Sequence, residues 1–188
     1  MEPAIIHPTA HAGVAWNIAD DAAARRTFRW ADATAALLGP NGTNIAELAV
    51  GRHARAMPEK VALRWRGKHG EARDITYAAL AAESYRFGNA LRSLGVVPGD
   101  VVFALCPRIP ELYAAAFGTL AIQAVFSPLF SAFGPEPIAT RVHVAGGKVL
   151  VTTASLYARK VAPVLAKMTM LAHVIVIDDG PGVPAGTL

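Results

Sequence analysis

Cysteine occurs once in the 188-residue chain, at Cys106, so no internal disulfide can form and no paired thiols are on offer for a metal. There is no G-x-S-x-G elbow and no H-E-x-x-H, which removes the commonest hydrolase and zinc-protease readings. His7 and His11 share a turn-like spacing but sit close to the amino terminus, so no metal site is expected of them. Charge of one sign is not concentrated either. The 18 Lys plus Arg against 14 Asp plus Glu give +4, enough to accept an anionic ligand. The cations are scattered as Arg25, Arg26 and Arg29, then Arg52 and Arg55, then Arg64, Arg66, Lys68 and Arg73. None alternates with aromatics as a base-stacking platform requires, so nucleic acid is not an expected partner. The opening MEPAIIHPTAH lacks a basic region followed by a sustained apolar one, and together with the lone cysteine it favours a cytoplasmic setting. The uncharged stretch from Leu112 to Pro135 has the length of a bilayer span, but Gln123, Ser127, Pro128, Ser131, Gly134 and Pro135 interrupt it. It reads as a buried helix followed by a buried strand, with no membrane span expected.

What is present is apolar: 53% of residues, enough to build the core of one medium domain. The first region, 1–43, is alanine-rich and reads as a helical extension, with an amphipathic helix over Trp30–Leu38 and Phe28, Trp30, Leu37 and Leu38 as anchors. The punctuation GPNGT at Gly39–Thr43 ends it. In the second region, 44–188, Asn44 and Glu47 have capping-box spacing, and Ile45, Leu48, Ala49 and Ala56 predict the apolar stripe of a helix closed by Pro58. VALRWRG alternates Val61, Leu63 and Trp65 with polar or small residues, predicting a strand with one covered face and a hairpin partner near Asp74–Thr76.

Thr76 then caps a long helix whose positions Leu80, Ser84, Phe87, Leu91 and Leu94 step by four and three, ending at Gly95. VVFAL is an unbroken apolar strand, Pro110 suits the first position of a helix, and Ala124–Phe130 is a second apolar strand. Pro135–Ala145 as a helix, Val149–Thr152 as a strand, Ser155–Lys167 as a helix containing Pro163, and His173–Ile177 as a last strand complete the alternation. Gly146-Gly147-Lys148 closes a helix and precedes a strand, the reverse of a phosphate loop, and is a C-cap and turn. Cys106, between a strand and Pro107, reads as an inert core thiol. Strands apolar on both faces and separated by helices predict an α/β fold: a doubly wound, mainly parallel sheet with helices on both faces and ligands at the carboxyl ends of its strands.

Three segments carry a resemblance: NIAELAVGRHA from Asn44, TYAALAAESYRFGNALRSLGVVPGDVV over Thr76–Val102, and PRIPELYAAAFGTLAIQAVFSPLFSAFGPEPIATR over Pro107–Arg141. They resemble the opening of acetate:CoA ligases among the AMP-forming acyl-CoA synthetases, in the adenylate-forming superfamily. The resemblance covers roughly Phe28–Asp179 and rests on the order of the Thr76 cap, the Gly95 and Pro98-Gly99-Asp100 turn, Pro110-Glu111, and the Phe130 to Glu136 run. It implies the N-terminal subdomain of the adenylate-forming fold.

The same resemblance implies sites. In the family, the segment matching Phe130, Ser131 and Ala132 lies against the adenine ring of coenzyme A, which suits a flat aromatic beside two small residues. The alternative is a strand end with a loop packed on the core. Arg159 and Lys160 match, in a loose register, family arginines near the 3′-phosphate of coenzyme A, the alternative being a solvated helical face. Arg141 matches a common basic position and reads as structural, pairing with Glu136 or bridging a helix end. VHVAGGK at Val142–Lys148 departs from the family pattern. The complete enzyme would use ATP, coenzyme A, magnesium and a small acetate-like carboxylate. Its phosphate loop, Thr-Glu pair, ribose aspartate and C-terminal lysine have no counterpart in these 188 residues, so no catalytic residue is assigned and the chain alone is not expected to turn over. The Pro- and Gly-rich Gly182–Leu188 reads as a linker within a longer protein. The contrasting reading is a non-catalytic module, from a truncated or split gene, that holds an adenine-bearing ligand or a partner chain. Uncovered apolar helix faces and a strand edge lead to expected self-association.

Overall fold

The computed structural model describes residues 20–38 and 44–178. His7, His11, the Gly39–Thr43 punctuation and the Gly182–Leu188 linker lie outside them. The chain divides into two compact units, one through Asn41 and one from Gly42. In the first, Asp20 caps α1 (Asp21–Thr27) by accepting from the Ala23 N–H at 2.9 Å. The expected helix over Trp30–Leu38 is present as α2 with the same bounds. Neither helix buries a residue, so Phe28, Trp30, Leu37 and Leu38 do not act as anchors among the described residues; Phe28 and Trp30 meet only edge to face, at 5.1 Å.

The second unit opens with Asn44, whose Oδ1 accepts from the N–H groups of Ala46 (2.9 Å) and Glu47 (3.3 Å). Only half of the capping box forms, because the Glu47 carboxylate pairs with Arg55 instead. The expected stripe is out of register. Ile45, Ala49 and Ala56 are exposed, while Ala46, Val50 and Gly51 are buried. The reason is a wide π-turn over Glu47–Gly51 leading into α3 (Arg52–Ala56): the Arg52 N–H reaches back five residues to the Glu47 carbonyl, which rotates the face. The hairpin of β1 (Val61–Arg66) and β2 (Ala72–Thr76) is antiparallel, as read, and longer in its second strand than the sequence indicated.

Thr76 caps α4 (Tyr77–Ser93), accepting from the Ala79 N–H at 3.2 Å, and Leu80, Ser84 and Leu91 are buried along it. Gly95 ends it at φ +77°, with the Val96 N–H returning to the Leu91 carbonyl at 3.0 Å. Then follow β3 (Val101–Leu105), α5 (Pro110–Ala121), β4 (Val125–Pro128), α6 (Pro135–Val144), β5 (Gly147–Thr152), a helical run and β6 (His173–Val176). The four strands form one parallel sheet in the order β4-β3-β5-β6.

Helices cover both faces. Val102, Ala104, Val149 and Val151 pack with Leu91 of α4 and Ala115 of α5 on one side. Phe103, Leu105 and Leu150 pack with Ile138 and Val142 of α6 and Val161 on the other. The α/β doubly wound reading therefore holds. Helices α4 and α5 meet at Gly88 and Gly118: a Cβ on Gly88 would lie 2.9 Å from the Gly118 carbonyl oxygen, so the two backbones are in direct contact.

Two elements differ from the expectation. β4 is shorter than Ala124–Phe130 and is an edge strand, with Val125 exposed, so Phe130 lies beyond it in a loop. The Ser155–Lys167 helix is broken into a short α7 (Ala154–Leu156), a π-turn (Tyr157–Val161) and a 3-10 stretch (Ala162–Lys167). A regular helix would drive the Pro163 ring into the Arg159 carbonyl, and the widened turn before it avoids that clash. The Gly146 turn behaves as read, closing α6 at φ +61°. Lys148 then fastens the amino edge of the sheet: its Nζ donates to the Gly95 carbonyl and to Asp100 Oδ2, both at 2.7 Å.

Candidate functional site

A parallel strand presents its unpaired carboxyl end to the loop that follows, and all four loops here converge. Pro107 and Ile109 follow β3, Ser131 follows β4, Thr153 and Ser155 follow β5, and Asp178 follows β6. These residues line a cleft of about 740 Å³ that also takes in Arg159 and Lys160. The crossover from β3 to β4 runs through α5 on one face of the sheet, whereas α6 and the helical run after β5 lie on the other. The cleft therefore sits where the winding reverses, between β3 and β5, the usual ligand position in open α/β sheets.

The loop after β4 forms a ridge between this cleft and a second one of about 730 Å³, lined by Phe130, Phe133, Thr140, Arg141 and Val144 among others. Phe130 is 65% exposed, its ring edge-on to Phe133 at 5.6 Å. Arg141 does not pair with Glu136, which is taken by Lys167. Its Nη1 donates to the Pro137 carbonyl at 3.0 Å, and its guanidinium carbon stands 4.2 Å from the centre of the Phe133 ring.

Of the five residues singled out from the sequence, Ser131, Arg159 and Lys160 share the first cleft, Phe130 faces the second, and Ala132 is exposed on the ridge and lines neither. Arg159 donates from Nε to the Ser155 carbonyl and from Nη2 to Ser155 Oγ, both at 3.1 Å, and its exposed guanidinium retains further donors. Lys160 is otherwise engaged, with Nζ 2.6 Å from the Ser131 carbonyl oxygen and 2.8 Å from that of Phe133.

Sequence reasoning missed Thr153, Ser155 and Asp178. The available signal was positional, since each falls within three residues of the end of an apolar strand. Asp178 Oδ1 accepts from the Ala154 N–H at 2.7 Å and so ties the ends of β5 and β6 together. Cys106 is buried in the core on the α4 and α5 side of the sheet, its thiol pushed up to about 12 by burial, with Asp178 and Glu111 adding to the effect. That fits an inert core thiol. Among the described residues no group of three or more His, Cys, Asp or Glu side chains converges as a metal site, and no helix is long and apolar enough to cross a membrane.

The carboxyl ends of the strands and the ridge beside them thus carry small residues and hydroxyls, an exposed aromatic face, and two arginines, Arg159 and Arg141, with donors beyond those already engaged. Comparison with known proteins shows which family the chain resembles. The curated acetyl-coenzyme A synthetase of Deinococcus radiodurans is 36% identical over 169 residues, covering 85% of this chain and 26% of that protein. That of Shewanella baltica is 40% identical over 111 residues, 58% of this chain and 17% of that protein. The chain thus spans about a quarter or less of the curated relatives it matches. The crystal structure of Brucella canis acyl-CoA synthetase superposes with a TM-score of 0.75 at 32% identity, over 89% of this chain and 30% of that one. Acetoacetyl-CoA synthetase from Streptomyces lividans gives 0.69 at 29%, over 78% and 24%. The family model described as AMP-binding enzyme matches residues 50–188, the span that carries the parallel sheet, so the chain belongs to the AMP-binding enzyme family.

Proposed function

We propose that this chain is the N-terminal part of an ATP-dependent, AMP-forming ligase that joins acetate, or a similarly short carboxylate, to coenzyme A, and that it supplies scaffold and part of the coenzyme A site. The reading is supported by relatives named acetyl-coenzyme A synthetase at 36% and 40% identity. In such a reaction the carboxylate oxygen attacks the α-phosphorus of ATP with loss of pyrophosphate, and the coenzyme A thiol then displaces AMP from the acyl carbon. ATP and magnesium serve the first step through residues that the resemblance does not place in this chain. The 188 residues alone therefore give no turnover.

The single observation that carries the coenzyme A assignment is the exposed Phe130 ring on a ridge whose next two residues, Ser131 and Ala132, are small. A planar base can lie on that ring and approach the backbone beside it. Arg159, exposed in the neighbouring cleft, is the group available to a phosphate, whereas the two carbonyls already engaging Lys160 leave it one free donor. Calorimetric titration with coenzyme A tests this. Heat is expected from the wild-type chain, with affinity about tenfold weaker for Phe130→Ala, the usual loss on removing one base–aromatic stack. Equal affinities for the two proteins would sink the assignment.

A second copy of the chain is the proposed partner. A cleft of about 710 Å³ opens on the α4 and α5 side of the sheet, lined by apolar residues such as Leu80, Phe87 and Ile175 together with charged ones, Arg73, Glu83 and Arg86 among them, and its apolar part favours self-association. The single cysteine is compatible with a reducing, cytoplasmic setting.

A further inference from the structure

We propose that Lys160 is a positioning residue: it latches the loop between Leu129 and Gly134 to the π-turn of Tyr157–Val161 and thereby fixes where Phe130 stands. This rests on the coenzyme A reading for its functional meaning, but the latch itself is read from geometry.

The loop has few fastenings of its own. Leu129 is buried and its N–H donates to the Ala104 carbonyl at 2.8 Å, and the Phe133 N–H closes a single turn on the Phe130 carbonyl at 2.9 Å. Between those points the chain must project an exposed aromatic ring, and burial does nothing to hold it. The Ser131 and Phe133 carbonyls, on either side of Ala132, both turn toward the Lys160 ammonium. A charged donor shared by two carbonyls makes two strong hydrogen bonds, and the Lys160 Nζ has no carboxylate within ion-pair distance among the described residues to compete for it. Lys160 lies in the widened turn that precedes Pro163, an irregularity of a kind frequent at functional sites. On the far side of the loop, Arg141 stacks on Phe133. The ridge is therefore clamped from both clefts, by Lys160 on the carbonyls of Ser131 and Phe133 and by Arg141 on the Phe133 ring, with Phe130 on the Arg141 side.

Hydrogen–deuterium exchange on the 188-residue chain tests the latch. Lys160→Met keeps the apolar stem and drops the donors, and exchange within Leu129–Gly134 is expected to rise about tenfold or more while β3 and β5 stay protected. Lys160→Arg, which keeps the donors, should restore most of the protection. Should Lys160→Met fail to fold, Lys160→Gln is read on the same segment, with a smaller rise expected. Unchanged exchange in the folded variant overturns the proposal. Titration then distinguishes positioning from direct contact: Lys160→Met should weaken coenzyme A and dephospho-coenzyme A, which lacks the 3′-phosphate, by the same factor. Loss confined to coenzyme A makes Lys160 a phosphate ligand and overturns the positioning role. If the wild-type chain binds neither compound, the coenzyme A reading fails, and the exchange result alone decides the latch.

Discussion

At the scale of single residues, environment decides what each titratable group can do. The Cys106 thiol, held near 12, is protonated throughout the physiological range. A thiol-reactive dye at pH 8 is expected to leave the native chain unlabelled over hours and to label it promptly once denatured; fast native labelling would show the thiol to be accessible. Asp100 behaves oppositely. The Lys148 ammonium, and after it the Val97 N–H, hold its carboxyl below the ordinary value of 3.8. Because the folded value is the lower one, the stabilisation is fully present above the unfolded value and is lost as pH falls through the folded one. Asp100→Asn should therefore lower stability at pH 7 by about 1–2 kcal/mol and flatten the acid limb below pH 4, read by urea denaturation across pH 2.5–7. An unchanged acid limb would mean that the tie to Lys148 is not maintained in solution.

The unit that decides register is the element. α4 and α5 cross backbone to backbone at Gly88 and Gly118, where a Cβ on Gly118 would stand 3.0 Å from the Gly88 nitrogen and closer still to the Ser84 carbonyl oxygen. Gly118→Ala should accordingly cost about 1–3 kcal/mol in denaturant unfolding, since neither neighbour is a side-chain tip that can swing away. A neutral result would mean that the helices can separate freely. This crossing was invisible in the sequence, where two glycines thirty residues apart look like ordinary helix weakeners. The caps and stops were legible because their chemistry is local: Thr76, Gly95, Pro110 and Gly146 all act within a turn of themselves. The stripe on Ile45, Leu48, Ala49 and Ala56 failed because counting by 3.6 presumes an unbroken helix, and the π-turn at Glu47–Gly51 breaks it. The end of β4 was misplaced for a related reason. Apolar content runs on from Leu129 to Phe130, but Leu129 is buried in the core and Phe130 faces solvent.

For the molecule as a whole, the sheet and its two helical layers followed from composition and periodicity, because a strand buried on both faces has to be apolar throughout, and Val101–Leu105 and Val149–Thr152 are nearly so. The candidate site was only half legible. Its aromatic ridge was marked by the Phe130-Ser131-Ala132 run, but Thr153, Ser155 and Asp178 join it solely through topology, each from a different part of the chain. The roles of Arg159 and Lys160, adjacent in sequence, diverge because one points along its own helix and the other across to the ridge. The open apolar cleft beside α4 belongs to the same scale. Sedimentation velocity is expected to show concentration-dependent association of the chain, relieved by Ile175→Lys, and a compact monomer at high concentration would count against a second copy as the partner.

The Lys148 tie also separates two jobs by geography. It joins Gly95, Asp100 and the start of β5 at the amino edge of the sheet, a full strand length from the cleft that holds Arg159 and Lys160. The amino-edge tie and the lining of that cleft thus draw on different residues. Replacing only Phe130, Ser131 and Ala132, with the buried Leu129 and the core-packed Phe133 left in place, should alter which ligand is accepted while the melting temperature barely moves.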